Sequence, residues 1–300
     1  MALYPDESGR VASSARVGSL FSGIGGLDLA MELAGIGTPA WFVERDKSCR
    51  DVLARHWPGV PIFEDVRAIE WESLPPADVL AGGYPCQPFS TAGRRKGTDD
   101  PRHLWPHYAD AIRALRPRLA VLENVAGHLS LGWDRVLGDL AEIGYDVRWT
   151  CLRASDIGAP HRRERLFALA YPGGERFGQH PREPSAKKAR PGARDIAGGD
   201  GTGASAPDAD GLGCDGSATE QRAQGWGEFA GAIGRWERIL GRDAPAPADD
   251  RGRLAPPFVE WMMGFPEGWT DGMSRTAALR ALGNAVVPAQ GAAAITELLS

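Results

Sequence analysis

A thiol stands in an unusual setting at Cys86, within Gly82-Gly83-Tyr84-Pro85-Cys86-Gln87-Pro88-Phe89-Ser90. The prolines on either side forbid a regular helix or central strand around it. The preceding Ala77-Asp78-Val79-Leu80-Ala81 reads as a buried strand, which the two glycines end. Cys86 is therefore expected on a constrained loop at the tip of a sheet, where chemistry sits in open α/β folds. A thiol so placed can serve as a nucleophile or as a ligand. Two arginines, Arg163 and Arg165, are spaced to share one face of a strand and so to reach a common ligand.

A second group of residues suits a nucleoside. Phe21-Ser22-Gly23-Ile24-Gly25-Gly26 follows an apolar run, and such a loop lets backbone approach a ligand at a helix N-terminus. Glu44, about 20 residues on, is placed to accept from a ribose diol. Asp65 follows the next apolar run and can accept from an adenine amino group. The Gly-x-Gly-Gly order departs from a pyrophosphate-binding fingerprint. It suits a cofactor that carries a carboxylate instead, such as S-adenosylmethionine.

These residues need a sheet to bring them together. Strands are expected at 17–21, 41–43, 61–63, 77–81 and 119–122. Helices are expected at 27–33, 47–56, 108–115 and 133–143, the last closed by Gly144. Residues 145–152 and 165–170 read as a later, hairpin-like pair of strands. This alternation predicts an α/β fold with a mostly parallel sheet covered on both faces. Strand C-termini then share one edge, so the glycine loop, Glu44, Asp65 and Pro85-Cys86 converge on one crevice.

The pattern changes at Tyr171. Residues 173–216 are rich in Gly, Ala, Asp, Pro and Ser and lack periodicity. Order returns near Trp226, and helices are expected at 275–282 and after Pro288. Four cysteines in 300 residues show no metal-ligand spacing, which argues against zinc and disulfides and for a reducing cytosol. No apolar run is long enough for a membrane span, and residues 1–16 are polar with no signal-peptide core. A net charge of −5 does not itself announce a nucleic-acid partner, since local basic patches matter more.

Six segments in order resemble the cytosine-C5 DNA methyltransferase family. Phe21 to Gly26 is similar to its first cofactor motif, and Gly83 to Ser90 to its Pro-Cys-Gln nucleophile loop. Glu44 and Asp65 fall at its ribose and adenine contacts. Glu123-Asn124-Val125, His161-Arg162-Arg163-Glu164-Arg165 and Gly283-Asn284-Ala285-Val286-Val287-Pro288 match its later motifs. The chain departs at Ser19, where many members have an acid, and at His161, where Gln is usual. Gly252 and Pro257 also stand where arginines are common.

The resemblance implies a Rossmann-like S-adenosylmethionine-dependent domain, residues 1–170 and 255–300, with a smaller loop-rich target-recognition region at 171–254. It implies catalytic roles for Cys86, Glu123, Arg163 and Arg165. It implies cofactor contacts from Phe21, Ser22, Gly23, Gly25, Gly26, Leu27, Glu44, Arg45, Asp65, Val66, Pro85, Leu104, Asn284 and Ala285. Cys86 would add to C6 of a cytosine flipped out of duplex DNA. The segment Ser90 to His103, with Arg94, Arg95, Lys96 and Arg102, reads as a closing loop. Lys187, Lys188, Arg190 and Arg194 read equally as solvated or phosphate-contacting. His103, His107 and His128 read as structural or solvated, and Cys49, Cys151 and Cys214 as inert. A cytoplasmic, monomeric enzyme of prokaryotic or phage type is expected, with a possible cognate restriction endonuclease. An RNA-methylating enzyme and a catalytically silent DNA-binding relative are the rivals.

Overall fold

Each expected strand is present. They are β1 (Arg16–Leu20), β2 (Thr38–Val43), β3 (Ile62–Phe63), β4 (Val79–Gly82), β5 (Leu119–Val125), β6 (Tyr145–Arg153) and β7 (Glu164–Pro172). The computed structural model describes residues 15–85, 104–174 and 225–300. Cys86, the segment through His103, the Lys187 to Arg194 cluster and Cys214 lie outside the described residues. The strands form one sheet in the order β3-β2-β1-β4-β5-β7-β6. From β3 to β5 every pairing is parallel, and β7 runs antiparallel between β5 and β6.

Helices α1 (Gly26–Leu33), α2 (Lys47–His56), α3 (Trp105–Leu115) and α4 (Trp133–Ile143) connect the strands. Helices α5 (Ala230–Leu240), α6 (Pro256–Met262), α7 (Arg275–Asn284) and α8 (Pro288–Leu299) follow. Their ends carry local signals. The Asp46 side chain accepts from Ser48 and Cys49 N–H at the start of α2, and Ser274 caps α7 through Ala277 N–H. Proline opens α6 and α8, and Gly144, at φ 86°, closes α4.

The period-2 alternation of the strands sorts the core into two layers. Leu80, Ala120 and Leu122 point toward Tyr108 of α3 and Leu140 of α4. Val79, Ala81, Leu119 and Val121 point toward Met31 of α1 and Ile295 of α8. Tyr108 crosses its layer to donate to the Leu80 and Val121 carbonyls, tying α3 to β4 and β5. A third cluster joins α2 to the C-terminal half through Trp57, Trp236, Trp261, Phe265 and Trp269. In it Trp269 Nε1 donates to Ile24 O at 2.8 Å, so the end of the chain is fastened to the glycine loop. Helix α5, the described helix of the 171–254 segment, buries Ile233, Trp236 and Leu240 in this same cluster.

Two of the boundaries that differ from expectation bear on the site. Gly82 continues β4, paired with Leu20 and Leu122, and the chain leaves the sheet only at Gly83. Strand β5 runs on through Glu123 to Val125, because antiparallel β7 extends the ladder to Val125 opposite Arg165. Glu123 thus stands on rigid sheet rather than in a turn.

Candidate active site

The C-terminal strand ends enclose a crevice of about 590 Å³, a size in the range of small-molecule sites. On the β1–β2 side, Phe21, Ser22, Gly23, Gly26 and Leu27 line it. The backbone turns through positive φ at Phe21 (53°), Gly23 (57°) and Gly25 (82°). Gly25 is the cap residue of α1 and does not line the crevice. Glu44 sits at the end of β2 and accepts from Gly23 N–H and Asp46 N–H, each at 2.7 Å. One carboxylate so holds two loops in register. Burial raises its pKa, and the two backbone donors oppose that rise.

Arg45, Asp65 and Val66 continue this wall. Asp65 accepts from Arg67, with Nε at 2.9 Å and Nη2 at 2.5 Å, and this pairing holds it at about 2. Opposite, Leu104, Asn284 and Ala285 complete the lining. Asn284 ends α7, whose Arg280 donates to Asp46 at 2.5 Å across the crevice mouth. Cys49 also lines the crevice, and burial beside Glu44 pushes it up to about 12, so this thiol stays protonated.

The β4–β5–β7 side carries a different group. Glu123 of β5 lies 3.1 Å from Arg165 Nε of β7, with both side chains mostly buried. Burial raises the Glu123 pKa, while Arg165 and Arg163 pull it down. Gly83 makes room for this carboxylate: a Cβ there would sit 2.6 Å from Glu123 Oε2. A side chain there would require the Glu123 carboxylate to shift from this position. Pro85, the last described residue before Cys86, lines the crevice beside them.

Arg163 does not line the crevice. It precedes β7 with φ 25°, and its guanidinium donates to the carbonyls of Gly283 (3.0 Å) and Ala285 (2.5 Å). Burial and Arg165 lower its pKa to about 10, against the pull of Glu123. Arg163 thus joins the Arg-x-Arg segment to the Gly-Asn-Ala segment. Gln290, fully buried, supports the same junction by donating to Leu152 O and Arg163 O. His161 bonds Met262 O at 3.0 Å, so the residue replacing the usual Gln still ties this segment to α6.

His128 is structural, one of the two readings the sequence offered, and Asn124, quoted only within a motif, and Asp28, not singled out, gain roles. Asn124 donates to the Tyr84 carbonyl at 3.1 Å, and His128, buried, bonds Tyr84 Oη and Leu131 O at 2.8 Å each. Tyr84 also packs its ring on Trp105, 5.2 Å between centroids. The residue two before the thiol is thereby gripped from three elements. Beneath the glycine loop lies Asp28 of α1, fully buried, with neither carboxylate oxygen in a completed hydrogen bond. The nearby Ser19 hydroxyl is directed to Ser22 Oγ at 2.9 Å. Burial drives Asp28 up to about 7, and Ser19 moderates the rise. An acid therefore does accompany Ser19, supplied by the next element. The buried run Leu27-Asp28-Leu29 was the available signal, a charge amid apolar neighbours.

A family model described as C-5 cytosine-specific DNA methylase matches residues 15–205. The chain belongs to this methylase family. Type II methyltransferase M.Bsp6I of Bacillus sp. is 34% identical over 163 residues, covering 52% of each chain. Type II methyltransferase M.AquIA of Picosynechococcus is 34% identical over 183 residues, 54% of this chain and 72% of that one. Orphan methyltransferase M.SPRI of Bacillus phage SPR is 36% identical over 162 residues, 51% of this chain and 37% of that one. The matched segment thus spans about half the length of M.Bsp6I and less of M.SPRI. Among solved structures, a Spodoptera frugiperda DNMT2 mutant superposes with a TM-score of 0.63 at 16% identity, covering 95% of this chain and 99% of that one. A putative DNA modification methyltransferase from an E. coli prophage reaches 0.58 at 22%, with the same coverage. These likenesses establish the Rossmann-like methyltransferase fold.

The crevice residues fit a nucleoside cofactor of this family. A carboxylate fixed by backbone donors faces a space walled by Phe21, Leu27, Val66 and Leu104, and Asp28 stands where a Gly-x-Gly-x-x-Gly pyrophosphate loop has its third glycine.

Proposed function

We propose that this chain is a DNA (cytosine-5)-methyltransferase using S-adenosylmethionine, acting on a flipped cytosine in a specific duplex sequence. The observation that carries this reading is the Glu123–Arg165 pair facing the crevice wall at Gly83 and Pro85, next to Cys86. When bound, S-adenosylmethionine supplies the methyl group that C5 receives. Glu44 would take the ribose diol, Asp65 and Val66 the adenine, and Asn284, Ala285 and the glycine loop the methionine end.

Cys86 Sγ would form a bond to C6 of the base, with Arg165, which lines the crevice where Arg163 does not, as the cationic group available to favour its thiolate. The C5–C6 electron pair then moves toward C5, and N3 takes a proton from Glu123. Burial already biases Glu123 toward its protonated form, which suits a donor at N3. Arg165 would hold O2. After C5 is methylated it loses its proton to water, the C5–C6 double bond returns as the bond from Cys86 to C6 breaks to regenerate the thiolate, and N3 gives its proton back to Glu123.

The catalytic body would comprise residues 1–170 and 255–300, with target recognition at 171–254 and DNA between them. A monomer in a prokaryotic or phage-infected cytoplasm fits this reading, alone or beside a cognate endonuclease. Among the described residues no helix is long and apolar enough to cross a membrane.

Plasmid DNA from cells expressing the protein should carry 5-methylcytosine at a short fixed sequence; bisulfite sequencing with no protected cytosine overturns the reading. Cys86→Ser should abolish methylation and the covalent complex with 5-fluorocytosine duplex DNA. Full activity of that variant overturns the covalent step while leaving the enzyme class standing.

A further inference from the structure

Outside the crevice, a second concavity of about 430 Å³ opens on the surface, lined by Arg153, Ser155, His161, Arg162, Ala232 and Arg235 among others. Its three arginines come from three places: the end of β6, the connection before β7, and α5. Arg153 and Arg162 share one carboxylate, Glu164, at 3.4 and 3.6 Å. Glu164 does not line the groove, and neither does Asp156, whose side chain accepts from Arg153 N–H. Arg235 is exposed and has no carboxylate partner among the described residues. The concave face therefore presents guanidinium groups while its acids lie outside it.

The walls are built rather than incidental. Helix α5 is anchored by Ile233, Trp236 and Leu240, and Trp236 Nε1 donates to Trp261 O at 2.9 Å. The opposite wall meets α5 at Gly158, φ 93°, where a Cβ would lie 2.3 Å from Ile239 Cδ1. The left-handed φ favours glycine there, and a side chain would also require Ile239 to shift. His161 is already committed to Met262 O. Among the described lining residues no other carries an aromatic ring, so they offer nothing on which to stack a base and much with which to hold an anion.

Its position is set by register. Arg153 pairs with Glu164, and Arg165, the next residue of β7, pairs with Val125 at the end of β5. The groove thus opens at the same sheet edge as the crevice. Arg162 is three residues from Arg165, at most about 11 Å of chain, a distance comparable to about three base-pair steps along a DNA strand.

We propose that this groove holds phosphates of duplex DNA beside the target cytosine, through Arg153, Arg162 and Arg235. It positions the backbone and reads no sequence. The inference rests on the DNA-methylating function proposed above. The test measures duplex affinity against salt concentration for the wild type, R153Q/R162Q/R235Q and R153K/R162K/R235K, with S-adenosylmethionine affinity as a check on folding. Three lost phosphate contacts lower the slope of log affinity against log salt by about 2.7, about 0.9 for each. Cognate and unrelated duplexes should weaken by the same factor, and the lysine variant, which keeps the point charges, should retain most of the slope. Cofactor affinity should not move. An unchanged slope in the glutamine variant, or an equal loss in the lysine variant, overturns the groove; a wild type that methylates DNA would leave the enzyme reading intact. A wild type that neither binds nor methylates duplex DNA overturns both.

Discussion

Glu44 and Glu123 face one crevice but are held by different chemistry. On the β1–β2 side, Glu44 is fixed by two backbone N–H groups at 2.7 Å. On the β5–β7 side, Glu123 is fixed by a guanidinium at 3.1 Å and, among the described residues, makes no such backbone contact. Backbone donors do not titrate, and here they lock two loops together; such a carboxylate suits static recognition of hydroxyl groups. An arginine partner can redistribute charge toward a third group, and burial leaves Glu123 biased toward the proton. That suits a residue whose protonation changes during a reaction. Asp28 is the limiting case, with neither device and a carboxyl at about 7.

The contrast can be broken most sharply at Glu123. Glu123→Gln should slow single-turnover methylation by about 10²–10⁴, the usual range for a positioned proton donor, with cofactor affinity unchanged. Cofactor binding that weakens in parallel with the rate would erase the distinction between the two sides.

Next in size is Asp28. Its folded pKa lies above the unfolded value, so the unfolded chain binds fewer protons between about pH 4 and 7. Its contribution is therefore most favourable at low pH and is lost as pH rises through about 7. Asp28→Asn removes this dependence. Urea unfolding at pH 8 should show a gain of up to about 4 kcal/mol over the wild type, shrinking toward pH 4. Identical pH slopes for the two proteins would show that Asp28 is solvated by something other than the described residues.

Glu44→Gln should have the smallest effect. The amide oxygen can still accept from one loop, but its NH₂ group opposes the other donor. A loss of roughly 1.5–3 kcal/mol corresponds to about 10–100-fold weaker cofactor binding, read by calorimetry. The single-turnover rate at saturating cofactor should stay near that of the wild type. A rate loss as large as that of Glu123→Gln would mean that both carboxylates serve the chemistry.

Most of the sheet was legible because its signals are local. The runs read as ending at Phe21, Val43 and Phe63, the first one residue beyond the strand, and the helix closed by Gly144 depend on neighbours within a few residues. The glycine loop and Glu44 were legible as a crevice because parallel strands share an edge. The hold on Tyr84 was not, since Asn124 and His128 reach it from 40 and 44 residues away. The spacing of Arg163 and Arg165 suggested a shared face, yet their side chains part: Arg165 enters the crevice and Arg163 turns to Gly283 and Ala285, because φ 25° breaks the strand geometry just before β7.

The sequence alone determined the strands, the helices between them and the two C-terminal helices, the Gly144 cap, and which residue types stand at the strand ends, whereas α5 and α6 were not among the expected helices. Those features arise from side-chain periodicity and backbone preference, which act over a few residues. Only the tertiary structure decided that Glu123 meets Arg165, that the bare backbone of Gly83 leaves space for that acid, that Asp28 lies buried beside Ser19, and that Arg153, Arg162 and Arg235 share one groove. Each depends on antiparallel β7 entering beside β5 or on helices packing across the sheet, and local periodicity carries neither.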